Sequence, residues 1–399
     1  MTVPLIQLPR PETNGYATLA LYVATSTFDE PKEYAGINHL LEHVLACNSD
    51  IDQDVAKKGL EHNAETHGGY VRYWFSTPKE HFKFCLDFLL RISSRPTWKH
   101  IEREKKAVRQ ELLSLLQDPE YHADLAVVEQ LFPDTGFFRG QSAEIMLKGL
   151  DKLNEKDLKN YYDNYYRGRM FIVISGGPPV KGAKKTMKID TISSVPCMTI
   201  PKQHCFNIIR PEISKSECKI LFYSKNNEPN SDKIRHRMRL ATRILAGGLD
   251  SLLYRSLRDK LNLVYSVSCD SEIEPYAILI EINWSCDTNK VTKSIKAIFN
   301  VIKNFYPLHY GGHKNLFLER FVRDNLLTSQ DIVEIYGDSL VTWGYYKEIK
   351  DSAREIEKIG PKELKKVVDK YLNPKNSLFI HTSSNKKNII TDSSYKKLF

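Results

Sequence analysis

Residues 36 to 47 read GINHLLEHVLAC, a run that sets His39, Glu42 and His43 into an otherwise apolar stretch. At helical period Ile37, Leu40, Leu41, Val44 and Leu45 form one continuous apolar face. The three polar residues share another stripe, because side chains three and four positions apart lie one turn above each other. Two imidazoles at that spacing can reach a single metal ion, and a carboxylate one residue before the second points at the same place. The stripe reads as half of a zinc site with a base beside it, or else as a wet helix face with two unrelated histidines. A third ligand decides between them.

The segment HIEREKKAVRQELLSLLQD, residues 100 to 118, supplies candidates. With Glu104 as origin and about 100° per residue, Ile101, Val108, Leu112 and Leu115 fall within about 80° on one side of it, and Glu111 about 20° on the other. Glu104 and Glu111 therefore border an apolar stripe that Glu102 does not. Carboxylates in such a place need a cation, which a zinc ion on His39 and His43 would provide. The plainer alternative is that both glutamates only form ion pairs at the rim of the stripe.

The elements that must position these residues follow from pattern. ATLALYVA (17–24) reads as a strand, and the His39 helix follows a turn-rich segment. HGGYVRYWFST (67–77) reads as another strand, followed by helical runs near 80–92, 99–117, 121–131 and 153–166 and a strand at RMFIVISG. Residues 179–205 are rich in Gly, Pro, Lys and Ser without period, and they read as a linker between a first domain, 1–178, and a second, 206–399. The second half restarts with a strand at CKILFYS and helices at 231–247 and 249–261. Strands follow at VYSVSCD and AILIEINWSC, then helices near 288–306, 314–327 and 362–371, and a closing strand at SLFIHTSS. The two halves share an order of elements, as a diverged duplication would. The expected class is α+β: two similar domains, each an antiparallel-rich sheet with helices packed on one side.

Composition narrows the function. At 399 residues the chain exceeds one hydrophobic core. Its longest apolar runs fall far short of the roughly 20 residues of a membrane span, and the opening residues lack a basic start followed by an apolar stretch. No membrane association is expected. The 7 cysteines are scattered and never paired as CxxC, which suits reduced thiols and a cytoplasmic setting, or an organelle matrix with the presequence absent. A net charge of +9 invites a nucleic-acid partner, but acids interrupt the basic residues throughout, so solvated helix faces are expected instead.

Taken together, GINHLLEH and the second glutamate of an ExxxxxxE helix, separated from His43 by 67 intervening residues, resemble the inverted zinc peptidases of the pitrilysin, insulinase and mitochondrial processing peptidase family. FDEPKEYAGINHLLEH resembles that family's entry into the metal helix, and HNAET its substrate-receiving edge strand. NYYDNYYRGRMFIVISGG is similar to the close of the first domain, and LAGGLDSLLYRSLRDKLNLVYSVS to the Gly-Gly, Arg and Tyr signature of the non-catalytic second domain. The resemblance implies one zinc ion per chain on His39, His43 and Glu111, with Glu42 as general base and Glu104 orienting a ligand. It further implies that Arg258 and Tyr265 hold the substrate and developing oxyanion, and that Asn63 and Ala64 lie where a peptide adds as an extra strand. VLACNSD stands where the family has an aromatic residue and Gly-Thr, and the short spacing to Glu111 implies a trimmed loop. The implied protein is a zinc endopeptidase of the short, two-domain form, acting on peptides or unfolded segments as a homodimer or with a related subunit. The alternative is a non-catalytic subunit of a processing-peptidase-like complex.

Overall fold

A computed structural model describes residues 3–8, 15–25, 27–46, 49–189, 196–228, 231–307, 309–324, 328–384 and 390–398. Residues 190–195 of the expected linker and the last residues of the expected 314–327 helix lie outside this set. The chain forms two compact units. The first comprises Met1–Gln117, Asp134–Pro196 and Asp324–Lys347; the second comprises Asp118–Pro133, Cys197–Arg323 and Glu348–Phe399.

The first unit is built on a sheet of β1 (Leu5–Leu8), β2 (Tyr16–Val23), β3 (Glu61–Thr66), β4 (Val71–Pro78) and β5 (Met170–Gly176), in the order β1-β5-β2-β4-β3. Only β1 and β5 pair in parallel. The second unit repeats this plan with β6 (Cys205–Ile209), β7 (Ser216–Lys225), β8 (Ser266–Ile273), β9 (Ala277–Cys286) and β10 (Ser377–Ser383), in the order β6-β10-β7-β9-β8. The parallel pair is again the first strand with the last. Each strand of one sheet has its counterpart at the same place in the other, as the expected duplication requires, and the class is α+β.

Packing differs from expectation in one detail. On the first sheet, Leu19, Phe75 and their neighbours face the Phe82–Ser94 helix, with Phe75 and Phe88 rings 5.3 Å apart. Helices were expected on this side alone, yet Ala20, Tyr22, Trp74, Phe171 and Val173 on the opposite face pack against Val333, Tyr336, Leu340 and Val341 of the Ser329–Trp343 helix. The physical reason is legible in the strands: β2 and β5 are apolar almost without interruption, the mark of a strand buried on both faces. By contrast β9 alternates buried and partly exposed positions along its length. The second unit's main core lies on one face of its sheet, under helices Ser231–Ala246, Val291–Lys303 and Pro361–Tyr371.

The Ser329–Trp343 helix seats closely because Gly337 has no side chain. A Cβ there would stand 2.2 Å from Tyr22 Cε2. Tyr22 also donates its hydroxyl to Asp338 Oδ1 at 2.9 Å and stacks on Phe171 at 5.2 Å. Gly337→Ala is expected to destabilise the first unit by about 1–3 kcal/mol through overpacking, read as a lowered midpoint in urea unfolding.

Two expected helical segments close with wider turns. Tyr162–Tyr166 and Tyr254–Lys260 are π-helical, the latter sealed by Leu261 N donating to Ser256 O at 3.1 Å. Sequence reasoning also passed over β1, β6 and the helices Ser49–Lys58, Gly136–Gln141, Ala143–Lys152, Ser329–Trp343 and Ile349–Glu357. Among the described residues, no helix is long and apolar enough to cross a membrane. Cys85, Cys197, Cys205, Cys218, Cys269 and Cys286 are free thiols.

Candidate metal centre

Helix Ile37–Ala46 follows from its own apolar stripe and from an acidic cap upstream. Glu30, buried, accepts from the backbone N–H groups of Gly36 at 2.7 Å and Asn38 at 3.1 Å. A carboxylate on the first N–H groups of a helix satisfies orphan donors and complements the dipole. Burial pushes Glu30 up to about 7 despite these bonds. Asn38 extends the anchor by donating its Nδ2 to the Tyr161 hydroxyl at 3.3 Å. Sequence reasoning missed this cap; an acid six residues ahead of Gly36 was the available signal.

The helix presents His39, Glu42 and His43 together, with one potential ligand atom of each within 4.8 Å of the others. The facing helix, Ile101–Leu115, buries Glu104, Val108 and Leu112 and brings Glu111 to the rim. Glu111 Oε2 lies 3.3 Å from His39 Nε2 and 3.5 Å from His43 Nε2. Glu104 Oε2 lies 3.6 Å from the other nitrogen of His43, Nδ1, while its Oε1 accepts from Arg103 Nε at 2.8 Å. The two glutamates that border the stripe in sequence thus take different stations: Glu111 meets an Nε2 of both imidazoles, and Glu104 faces the Nδ1 of His43.

The donor set fits a zinc ion. Ligands about 2.0–2.1 Å from a tetrahedral zinc stand roughly 3.3 Å from one another, and the two nitrogen-to-carboxylate distances match that edge. Burial, and then the neighbouring His43, lower His39 to about 4, which leaves its imidazole neutral and able to donate a lone pair. Burial raises Glu42 to about 6. A carboxylate behind a liganding histidine fixes the ring and raises its basicity. Glu104→Gln is therefore expected to weaken zinc binding about 10- to 100-fold, measured by competition with a chromogenic chelator, with the fold retained.

The remaining candidates are placed as follows. Asn63 and Ala64 lie on β3, the edge strand, paired with Trp74 and Tyr73 of β4. The opposite edge of that sheet is closed, since Gln7 N donates to Lys184 O and Lys184 N to Leu5 O, both at 2.9 Å. Helix Ile37–Ala46 and β3 are in direct contact through Thr66, whose hydroxyl donates to Glu42 Oε2 at 3.0 Å. In the second unit, Arg258 Nη1 donates to the Tyr265 carbonyl at 2.5 Å. The Tyr265 hydroxyl donates to Asp287 Oδ1 at 2.7 Å, which raises the tyrosine and lowers the aspartate. Lys215 Nζ sits 3.2 Å from the Tyr265 ring centroid. Of the two histidines that flank Asn63 and Ala64, His62 stacks on Phe75 and His67 bonds Glu65.

Two histidines and a glutamate converge from two helices, with the buried Glu42 and Glu104 beside them, and form a donor set that could hold a metal ion. Residues 6–140 match the family described as insulinase, peptidase family M16, and residues 152–306 match the peptidase M16 inactive domain. The chain belongs to the M16 peptidase family. A nardilysin-like protein of Arabidopsis thaliana is 29% identical over 181 residues, which are 40% of this chain and 17% of that protein. The chain matches only about a fifth of the length of such curated relatives. Solved structures match along nearly all of it. A protease from Helicobacter pylori superposes with a TM-score of 0.77 at 15% identity, covering 96% of this chain and 99% of the other. A chain of complex III2 from Candida albicans gives 0.75 at 11% identity, covering 100% and 99%.

Proposed function

We propose that this protein is a zinc-dependent endopeptidase acting on extended peptides. The observation that carries the reading is the convergence of His39 Nε2 and His43 Nε2 on Glu111 Oε2, with Glu42 beside them and an open edge strand in contact. A zinc ion held by His39, His43 and Glu111 would supply Lewis-acid activation of water and of the scissile carbonyl. Glu42 takes the proton of the attacking water and delivers it to the leaving amine. Its burial keeps that carboxyl easier to protonate than an exposed one, as an acid-base group near neutral pH requires. The peptide adds to the free edge of β3 beside Asn63 and Ala64. Arg258 and Tyr265 hold the substrate carbonyl and oxyanion, a role resting on the family resemblance of their segment. Pairing with a second copy or a related subunit belongs to the same reading, supported by the likeness to a chain of a multi-subunit complex.

A second reading, a non-catalytic subunit, is favoured by that same likeness and by the match of residues 152–306 to an inactive domain. Against it stands the full set of His39, Glu42, His43 and Glu111. Incubation of the zinc-loaded chain with one polypeptide in native and denatured form, followed by mass spectrometry of the products, separates the two. The peptidase reading expects fragments from the denatured form alone, lost on chelation. Intact polypeptide in every sample, with zinc bound, would favour the non-catalytic subunit.

A further inference from the structure

Thr66 has no part in the chemistry above, yet it makes the one hydrogen bond to the Glu42 carboxylate among the described residues. It ends β3 opposite Val71, on the sheet face that carries helix Ile37–Ala46. The residue before it is held from the other face. Glu65 Oε2 accepts from Arg72 Nη2 at 2.5 Å and contacts His67 Nε2 at 3.1 Å, and its Oε1 accepts from Asn63 and Trp74 at 3.3 and 3.4 Å. Arg72 is itself buried, with Nη2 3.4 Å from Glu334 and Nη1 3.6 Å from Asp338, both on the Ser329–Trp343 helix. The end of β3 is thus fixed by charged and aromatic partners on one face while its last hydroxyl reaches the candidate base on the other.

We propose that Thr66 is a positioning residue for Glu42: its hydroxyl engages Oε2, leaves Oε1 free to take a proton, and ties the base to the strand that seats the peptide. The proposal rests on the peptidase reading. A glutamate on a helix surface has several accessible rotamers, and few of them aim an oxygen at a water on the neighbouring histidines. A bond from a fixed strand selects one of them. Because the donor lies on the substrate strand, any shift of β3 on binding peptide is transmitted to the base.

Thr66→Val keeps the branched shape and removes the donor, whereas Thr66→Ser keeps the donor and removes a methyl. A hydrogen bond to a charged group corresponds to about a 10- to 100-fold change in rate. The expected result is a fall of that size in kcat for Thr66→Val, with KM and zinc content near wild type, and recovery of most of kcat in Thr66→Ser. Wild-type kcat in Thr66→Val overturns the proposal, and so does a Thr66→Ser as slow as the valine variant. A readout that needs no turnover is the crystal structure of zinc-loaded Thr66→Val. Glu42 turned away from its wild-type rotamer supports the positioning role even if the wild type cleaves nothing and the peptidase reading fails; Glu42 unmoved overturns it.

Discussion

Glu42→Gln is expected to lower peptide turnover about 100-fold or more while zinc content stays at the wild-type value. A glutamine at this position would keep the length and shape of the side chain and could still accept from Thr66, so the helix and the facing glutamates have no cause to move. What disappears is the carboxylate that takes a proton from water and returns it to the amine. Glu42 stands one residue from His43 and contacts β3, so it shares the site without being needed by Glu111 to meet the imidazoles. Parallel assays of turnover and of metal by atomic emission would check the prediction. A glutamine variant that retains wild-type turnover would remove Glu42 from the chemistry.

Glu111→Ala should act on metal first and on turnover as a consequence. Loss of the one oxygen that lies within 3.5 Å of both imidazole nitrogens leaves a two-nitrogen site. Changes behind the ligands already cost about 10- to 100-fold in affinity, so loss of a ligand itself should cost at least about 100-fold. The protein should purify with little zinc and little activity, and excess zinc should restore only part of the turnover. Glu111 is half exposed, with 53% of its side-chain surface accessible, so folding should be affected little. Calorimetric zinc titration of the variant beside wild type measures the shift. An unchanged affinity would mean that the third ligand lies elsewhere.

The clustering of His39, Glu42 and His43 was legible because its information is local. HxxEH spacing and the angular placement of Glu104 and Glu111 on one helix need only a period of about 3.6 residues to be read. Strand β9 was legible for a similar reason, its alternation being a direct record of one covered face. Unbroken apolar runs in β2 and β5 carried a further message, cover on both faces, but did not say by what. The answer is distant in sequence: Val333 and Leu340 against Ala20 and Tyr22, about three hundred positions apart, a pairing that no local pattern encodes. The Pro119–Leu131 helix is similar, joining the second unit, where Asp124 meets Lys219 of β7 at 3.4 Å. Short strands such as β1, four residues long, give too few alternations to register. Glu30 and Thr66 were missed because each acts through hydrogen bonds to a backbone or side chain outside its own element.

The most direct test of a zinc peptidase built on His39, His43, Glu111 and Glu42 is a titration of metal-free protein with zinc, following bound metal and hydrolysis of a quenched-fluorescent peptide mixture in the same cuvette. Turnover should rise in step with occupancy and break at one zinc per chain, and Glu42→Gln should bind zinc with the same break while its turnover stays flat. Hydrolysis that is already present without zinc, or a chain that fills with zinc and cleaves nothing, would contradict the account.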